Sequence, residues 1–425
     1  MLNVVMEQIF SYNIIHIDLS KVDLLLPPIK NENGNYVILW WKDIALGDFY
    51  IKPNQNLYEE EFLNKIISAI LPIIDSYNEK ADIKRDWRNY LITNQIQDWK
   101  KLDSLFSSAD VEALPEKVPI SVVICTRDRA ASLSQCLQQI KNLICQPEEI
   151  VVVDNAPLDR STRQIVKQFP DVKYVIEPKA GLDFARNAGI MAASQSITAF
   201  VDDDVRVHPF WAYRVWETFQ NPSVSAMTGL VIALKLDSEA QFIFEKHWSF
   251  NRGYLDKIYD KAYFSSLKAP PVWEIGAGAN MAFRKSVFEK VGNFHELLDV
   301  GAAGCSGDSE MWFRILADGD TIQYNPKAVV YHEHRSNIKA LEKQLFSYMR
   351  GFTTAALWQH RQIPKLGYKK LVFLGLPKYY AVLLAKGFPR YRERYRTLWA
   401  EIKGVISGLM YFYKRKNRSL FSVKR

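Results

Sequence analysis

The chain is short of cysteine, of long apolar runs and of glycine-rich phosphate loops, and each shortage removes a class of protein. Its cysteines are Cys125, Cys136, Cys145 and Cys305, with no C-x-x-C pair among them. That argues against a cysteine metal site or a disulfide framework and suits reduced thiols in a cytosolic protein. The nearest approach to a membrane span, Leu371–Phe388, is broken by Pro377, Lys378 and Lys386, so no spanning helix is expected. The first Lys or Arg is Lys21, which leaves no charged start for a secretory signal. No G-x-G-x-x-G follows the apolar run Ile120–Cys125, where the turn reads TRDRAAS, and no P-loop pattern occurs. Hydride transfer on a dinucleotide is thereby disfavoured. A diphosphate would need another cradle, which a carboxylate-bound metal supplies.

Acidic charge is scarce at one end. From Arg335 to Arg425 there are 21 Lys and Arg against 3 Asp and Glu, a charge of +18, whereas the whole chain carries +8. The remainder is therefore acidic. A basic region on an acidic body fits an anionic partner such as a membrane face or a polyanion; a folded helical cap with a solvated basic side is the other reading.

Composition changes divide the chain into four. Residues 1–82 read as a small α+β unit. In it Asn33-Gly34 precedes a strand at Tyr36–Trp41, Ala45–Gly47 separates that strand from Asp48–Lys52, and a helix carries Phe62, Ile66, Ile67, Ile70 and Leu71 on one face. Residues 83–117 read as a helical connector. Residues 118–335 alternate strand and helix, and 336–425 form the basic helical region.

Within 118–335, apolar strands at Ile120–Cys125, Glu149–Val153, Val172–Ile176 and Ile197–Val201 alternate with helical spacings at Ala131–Leu143, Asp159–Phe169 and Gly181–Ser194. That order predicts a parallel or mixed sheet flanked by helices. Ligands of such sheets bind at the carboxyl ends of the strands. Three of those ends carry Thr126-Arg127-Asp128, Asp154-Asn155 and Asp202-Asp203-Asp204. Three adjacent carboxylates repel one another, and a hard divalent cation offsets that repulsion. An acidic turn, with Asp204 or a neighbour capping a helix near His208–Phe219, is the alternative.

The blocks VVICTRDRAASLSQCL, EEIVVVDNAP, GLDFARNAGI, AFVDDDV, GAGANMAFRKSVFEKVGNF and GDSEMWFRI occur in the order and spacing of the family 2 glycosyltransferases, which the segment from Val118 to Arg335 resembles. The resemblance implies a GT-A fold, a nucleotide-diphosphate sugar donor, a divalent metal (Mn or Mg) and inversion at the anomeric carbon. It places Thr126, Arg127 and Asp154 at the nucleobase, Arg186 at the diphosphate or nucleoside, and Asp202 and Asp203 at the donor. Asp202, Asp204 and His332 become the metal ligands, His332 being preferred to His334. Asp308 becomes the general base, although the usual preceding Glu is here Gly307. Its pKa is pulled down by a helix start and up by burial beside Glu310. Trp273, Gly276, Gly278 and Glu310 fall to the acceptor side, the glycines because bare backbone can approach a ligand closely. The aromatic stretch Leu234–Glu274 reads as a local core ahead of a sugar platform.

The partners expected are a nucleotide-sugar and a glycan, lipid-linked or other hydroxyl acceptor, with no nucleic acid. The location expected is cytoplasmic, with the inner membrane face as the alternative for the basic region. A non-catalytic sugar-nucleotide or glycan-binding module and a nucleotidyltransferase are the rival functions.

Overall fold

The computed structural model describes residues 11–24, 26–28, 32–80, 86–93, 95–106, 113–387 and 392–415. The expected boundary between residues 82 and 83 lies outside them.

Strands β1 (Tyr12–Asp18), β2 (Gly34–Trp41) and β3 (Ile44–Ile51) form a three-stranded sheet, β1 parallel and β3 antiparallel to β2. The hairpin is tighter than expected. Ala45–Gly47 belong to β3, and the turn is Lys42-Asp43, with Lys42 in the left-handed region at φ 56°. Alternation along β2 explains how this sheet packs. Val37, Leu39 and Trp41 face the helix Glu59–Lys80 through Phe62, Ile66 and Ile70, while Tyr36, Ile38 and Trp40 join the core of the larger sheet. Asp43, buried in the turn, pairs with the buried Arg214 of the helix Trp211–Thr218.

The larger sheet has β4 (Lys117–Thr126), β5 (Gln146–Asn155), β6 (Val172–Glu177), β7 (Ile197–Asp202), β8 (Val205–Val207), β9 (Val224–Ala233), β10 (Lys257–Tyr259), β11 (Asn280–Arg284) and β12 (Thr321–His332). Its order is β10-β12-β9-β11-β7-β4-β5-β6, with β8 paired to β12. The strands β7-β4-β5-β6 run parallel, as the alternation predicts, and β11 enters antiparallel between β7 and β9. The sheet is therefore mixed and flanked by helices, the architecture expected. Central β4 is apolar on both faces because both are covered. Val122 and Ile124 meet Leu133, Leu137 and Ile140 of the helix Ala130–Lys141, whereas Val123 meets Ala185 and Ile190 of the helix Leu182–Ala192.

The basic region is built into this body. Helix Ile338–Gln362 buries Leu345, Ala355, Leu357 and Trp358, and helix Arg392–Arg415 lies along it, adding Tyr411 and Phe412 to the main core. Between them runs a helical arm, Tyr368–Gly387. Among the described residues no helix is long and apolar enough to cross a membrane, and the four cysteines are unpaired.

Candidate functional site

The register of the sheet gathers the polar strand ends. Thr126 and Asp154 end adjacent parallel strands in register, and Cys125 is in register with Asp202. Strand β11 begins opposite Val201, so the loop Gly276–Gly278 before it lies at the same edge. Strand β8 turns the chain back after the acids and pairs with β12, setting His332 opposite Val205. That short strand excludes Asp204 as the cap of the following helix, which starts only at Trp211.

The result is a cluster of Asp202, Asp204 and His332 whose ligand atoms lie within 4.8 Å of one another. The half-buried Asp202 is pushed up to about 7 by burial and by the Asp204 charge, with Arg186 acting against both. Burial also raises Asp204, but His332, Arg129 and Arg335 outweigh it and hold that carboxyl below its usual range. Burial lowers His332 to about 4, so the imidazole is neutral at neutral pH and the arginines do the holding there. Asp203 points elsewhere. It accepts from Thr126 Oγ1 and from Arg129 Nη1, both at 2.6 Å. Arg129 Nη1 also reaches Asp204 Oδ2 at 3.0 Å.

Behind His332 stands a relay absent from the sequence reading. His332 Nδ1 lies 3.0 Å from His334 Nδ1, and His334 Nε2 lies 2.8 Å from Glu245 Oε2. Glu245 Oε1 accepts from Ser249 Oγ at 2.8 Å, and all three relay residues are buried. With Glu245 accepting from His334 Nε2–H, His334 Nδ1 becomes an acceptor and His332 must donate from Nδ1. The lone pair of His332 is then on Nε2, the atom 3.7 Å from Asp204 Oδ1.

Across the edge, Asp308 sits in the first turn of the helix Gly307–Asp318. Its Oδ2 accepts from Gly278 N–H at 2.8 Å and its Oδ1 from Ser309 N–H at 2.7 Å. Burial and the Asp299 charge nevertheless raise Asp308, against Arg186 and those backbone donors. Burial therefore outweighs the helix start, and the neighbouring acid is Asp299 rather than Glu310. Arg186 is buried beneath, its Nη1 donating to Asp183 at 3.0 Å and Asp299 at 2.7 Å. Gly307 explains its own departure from the family pattern. A Cβ there would lie 2.4 Å from Asp183 Oδ2 and 2.8 Å from Asp299 Oδ2. Asp128, Ala156, Asp299 and Ser306, all in loops at this edge, have positive φ. Such strain collects where a site needs a fixed geometry.

At the far strand end, buried Asp154 accepts from Tyr174 Oη at 2.6 Å, and its Oδ1 has no hydrogen-bond partner. Burial raises this carboxyl. Asn155 is committed to the backbone of Glu177, Lys179 and Gly181.

Several expected residues make structural contacts here. Arg127, expected at the nucleobase, is exposed beside Asp128, and Arg129, two residues on, holds the acids. Glu310 is 1% exposed and paired with Arg314 at 2.9 Å, so it faces the core. Gly276 makes room for Thr228, whose Oγ1 would be 2.1 Å from a Cβ, and Gly278 makes room for Arg186 Nη2 at 2.6 Å. Trp273 packs edge-on against Phe352. Phe242, Phe244, Tyr259 and Phe264 are core, as the local-core reading has it.

An α/β sheet with a carboxylate–imidazole cluster at its strand ends defines a class of ligand-binding unit. Residues 121–292, which supply most of it, match the model described as Glycosyl transferase family 2. The chain is similar to the pre-mycofactocin glycosyltransferase of Mycobacterium tuberculosis, 24% identical over 227 residues, covering 53% of this chain and 45% of that protein. It is also similar to the glucosyl-dolichyl phosphate glucuronosyltransferase of Haloferax volcanii, 23% identical, covering 50% and 69%. The chain thus spans less than half the length of the first of these relatives. Among solved structures it resembles a mannosyltransferase from Pyrobaculum calidifontis in complex with GDP-Man and Mn2+, at 18% identity and a TM-score of 0.46, covering 75% of this chain and 94% of that one.

Proposed function

We propose that residues 118–335 form the catalytic unit of an inverting glycosyltransferase that moves a sugar from a nucleotide-diphosphate donor to a hydroxyl acceptor. The observation that carries this reading is the Asp202–Asp204–His332 cluster on the family 2 scaffold. Two carboxylates and a neutral imidazole, one carboxyl driven up by burial and by its neighbour, form a donor set suited to manganese or magnesium. A bound ion would supply positive charge for the leaving diphosphate. Asp202 and Asp204 would hold it with His332. Asp154, whose Oδ1 is buried without a hydrogen-bond partner, would accept an N–H from the base. Asp308 would take the acceptor hydroxyl's proton as the new C–O bond forms, while the old bond's electron pair leaves with the diphosphate. Its raised pKa strengthens it as a base.

A lipid-linked acceptor and peripheral contact with the inner face of the cell membrane fit the +18 of the basic region. One relative is itself named for glucosyl-dolichyl phosphate.

The test is a screen of nucleotide-sugars for hydrolysis and transfer in manganese, with Asp308→Asn beside the wild type. Metal-dependent turnover that falls about 10²–10⁴-fold in the variant, with donor binding retained, supports the reading. Binding without turnover of any donor would leave a sugar-nucleotide-binding module.

A further inference from the structure

Helix Leu376–Gly387 and the π-type turn Leu371–Gly375 before it contain two lysines and no acidic residue, yet among the described residues protein covers only one side of them. The covered stripe is Val372, Leu376, Tyr380 and Leu383; its last three residues pack with Met349 and Leu398 of the two long helices. The opposite face presents Phe373, Leu374, Val382 and Leu384, which are 40%, 61%, 43% and 43% exposed. A helix apolar all round is normally buried all round. Among the described residues no protein lies over the outer face of this one.

The charges nearby have one sign. Between Glu342 and Glu393 the sequence contains no acidic residue, while Lys369, Lys370, Lys378 and Lys386 punctuate the arm. Phe373 and Leu374 also border a groove of about 460 Å3, largely apolar, lined in addition by Lys365, Lys369 and Lys370. Helix Arg392–Arg415 repeats the pattern. Trp399, Ile406 and Met410 point outward at helical spacing, with Lys403 and Lys414 among the exposed positions.

We propose that the outer face of the arm 371–387, continued by the outward stripe of the last helix, is the surface by which this protein lies on an anionic lipid leaflet. The apolar side chains enter the headgroup boundary and the lysines meet lipid phosphates. This deepens the peripheral-membrane reading above and rests on it. Uniform positive charge around an apolar face distinguishes a lipid surface from a second copy of this chain, which would bring its own lysines to the contact. The arm is tied to the acceptor side of the site. Tyr368 Oη donates to Pro270 O at 2.7 Å and Gly367 N–H to Lys268 O at 2.6 Å. The segment they hold leads directly into Gly276–Gly278 beside Asp308. A membrane under the arm therefore brings a lipid-borne hydroxyl to the side of the sheet where the base stands.

The test is co-sedimentation of the full-length protein with vesicles of phosphatidylcholine alone and of equal phosphatidylcholine and phosphatidylglycerol. Two variants accompany it: F373S/L374S/V382S, which removes the apolar face, and K378E/K386E, which reverses the charge. Both change exposed residues, so unchanged melting and unchanged donor hydrolysis report an intact fold. Salt-sensitive binding of the wild type to the anionic vesicles, reduced about tenfold or more in each variant, is the expected result. Wild-type binding that both variants keep would overturn the assignment of the face and leave the peripheral reading standing. A wild type that stays in the supernatant would overturn both. Equal binding to neutral vesicles would overturn the role of the lysines. A wild-type dimer that the serine variant dissolves, without vesicle binding, would assign the face to self-association instead.

Discussion

His332 is aimed by groups that touch no ligand. Its Nε2 keeps a lone pair only while His334 accepts at Nδ1, and His334 does so only while Glu245 accepts at the other ring nitrogen. Glu245→Gln offers a donor amide in place of that acceptor and frees the tautomer. Manganese affinity, read by titrating the metal-free protein, is expected to fall about 10–100-fold with the fold intact. Asp202 gives a pH dependence. Its carboxyl stands at about 7 in the folded protein against 3.8 ordinarily, so the folded state binds the extra proton between those values. Stability from this group is therefore greatest at low pH and is lost as pH rises toward about 7. A metal must displace the same proton. Manganese affinity is expected to climb with pH up to about 7 and then level off, while the metal-free melting temperature of the wild type, taken relative to Asp202→Asn so that the opposing imidazoles His332 and His208 cancel, drifts down over the same range. Titrations and melts across pH 5–8 check both slopes. Asp202, Asp204 and Asp154 were legible because strand ends can be read from apolar periodicity. Arg129 was hidden by its neighbour: TRDR offers two arginines, and only the turn, with Asp128 in the left-handed region, decides that the second faces the acids. Glu245 and His334 are 89 residues apart, and nothing local in the sequence couples them.

At the scale of elements, strand and helix alternation was readable because β4, β5 and β7 are buried on both faces and bounded by polar turns. The insertion of β11 between β7 and β9 was not, since pairing order is a property of the whole sheet. The N-terminal sheet shows the same limit. Its strands and helix were visible, but the helix-facing and sheet-facing sets of β2 differ only by alternate residues, all of them apolar. One buried ion pair reports that docking. Arg214, 2% exposed, meets Asp43 from the β2–β3 turn and also Glu217. Arg214→Met leaves Asp43 buried without its cation. A loss of about 3–5 kcal/mol is expected in denaturant unfolding, because an unpaired buried charge costs more than the pair contributes. Adding Asp43→Asn should recover part of it, and a double variant no better than the single would show that Arg214 acts through packing alone.

For the molecule as a whole, charge alone misplaces the basic region. A +18 segment reads as an appendage, yet its two long helices bury Trp358, Tyr411 and Phe412 in the core that also contains Phe283, Trp312 and Phe313 under the site. Tyr411 Oη donates to Leu297 O, in the loop that presents Asp299. Apolar positions at helical spacing were present in the sequence, but basic residues between them masked which face turns inward, and long cationic side chains can cover an apolar helix while keeping their charge in water. Deleting residues 337–425 should therefore not yield a soluble catalytic unit with lower lipid affinity. It should expose the Trp312 side of the core and release the 297–306 loop that carries Asp299 and Ser306. Aggregation or loss of the cooperative thermal transition is expected, with donor hydrolysis lost alongside transfer. A deletion that melts cooperatively and still hydrolyses donor would show that the two helices merely cap a unit complete without them. The vesicle experiment is for this reason built on point substitutions in the arm.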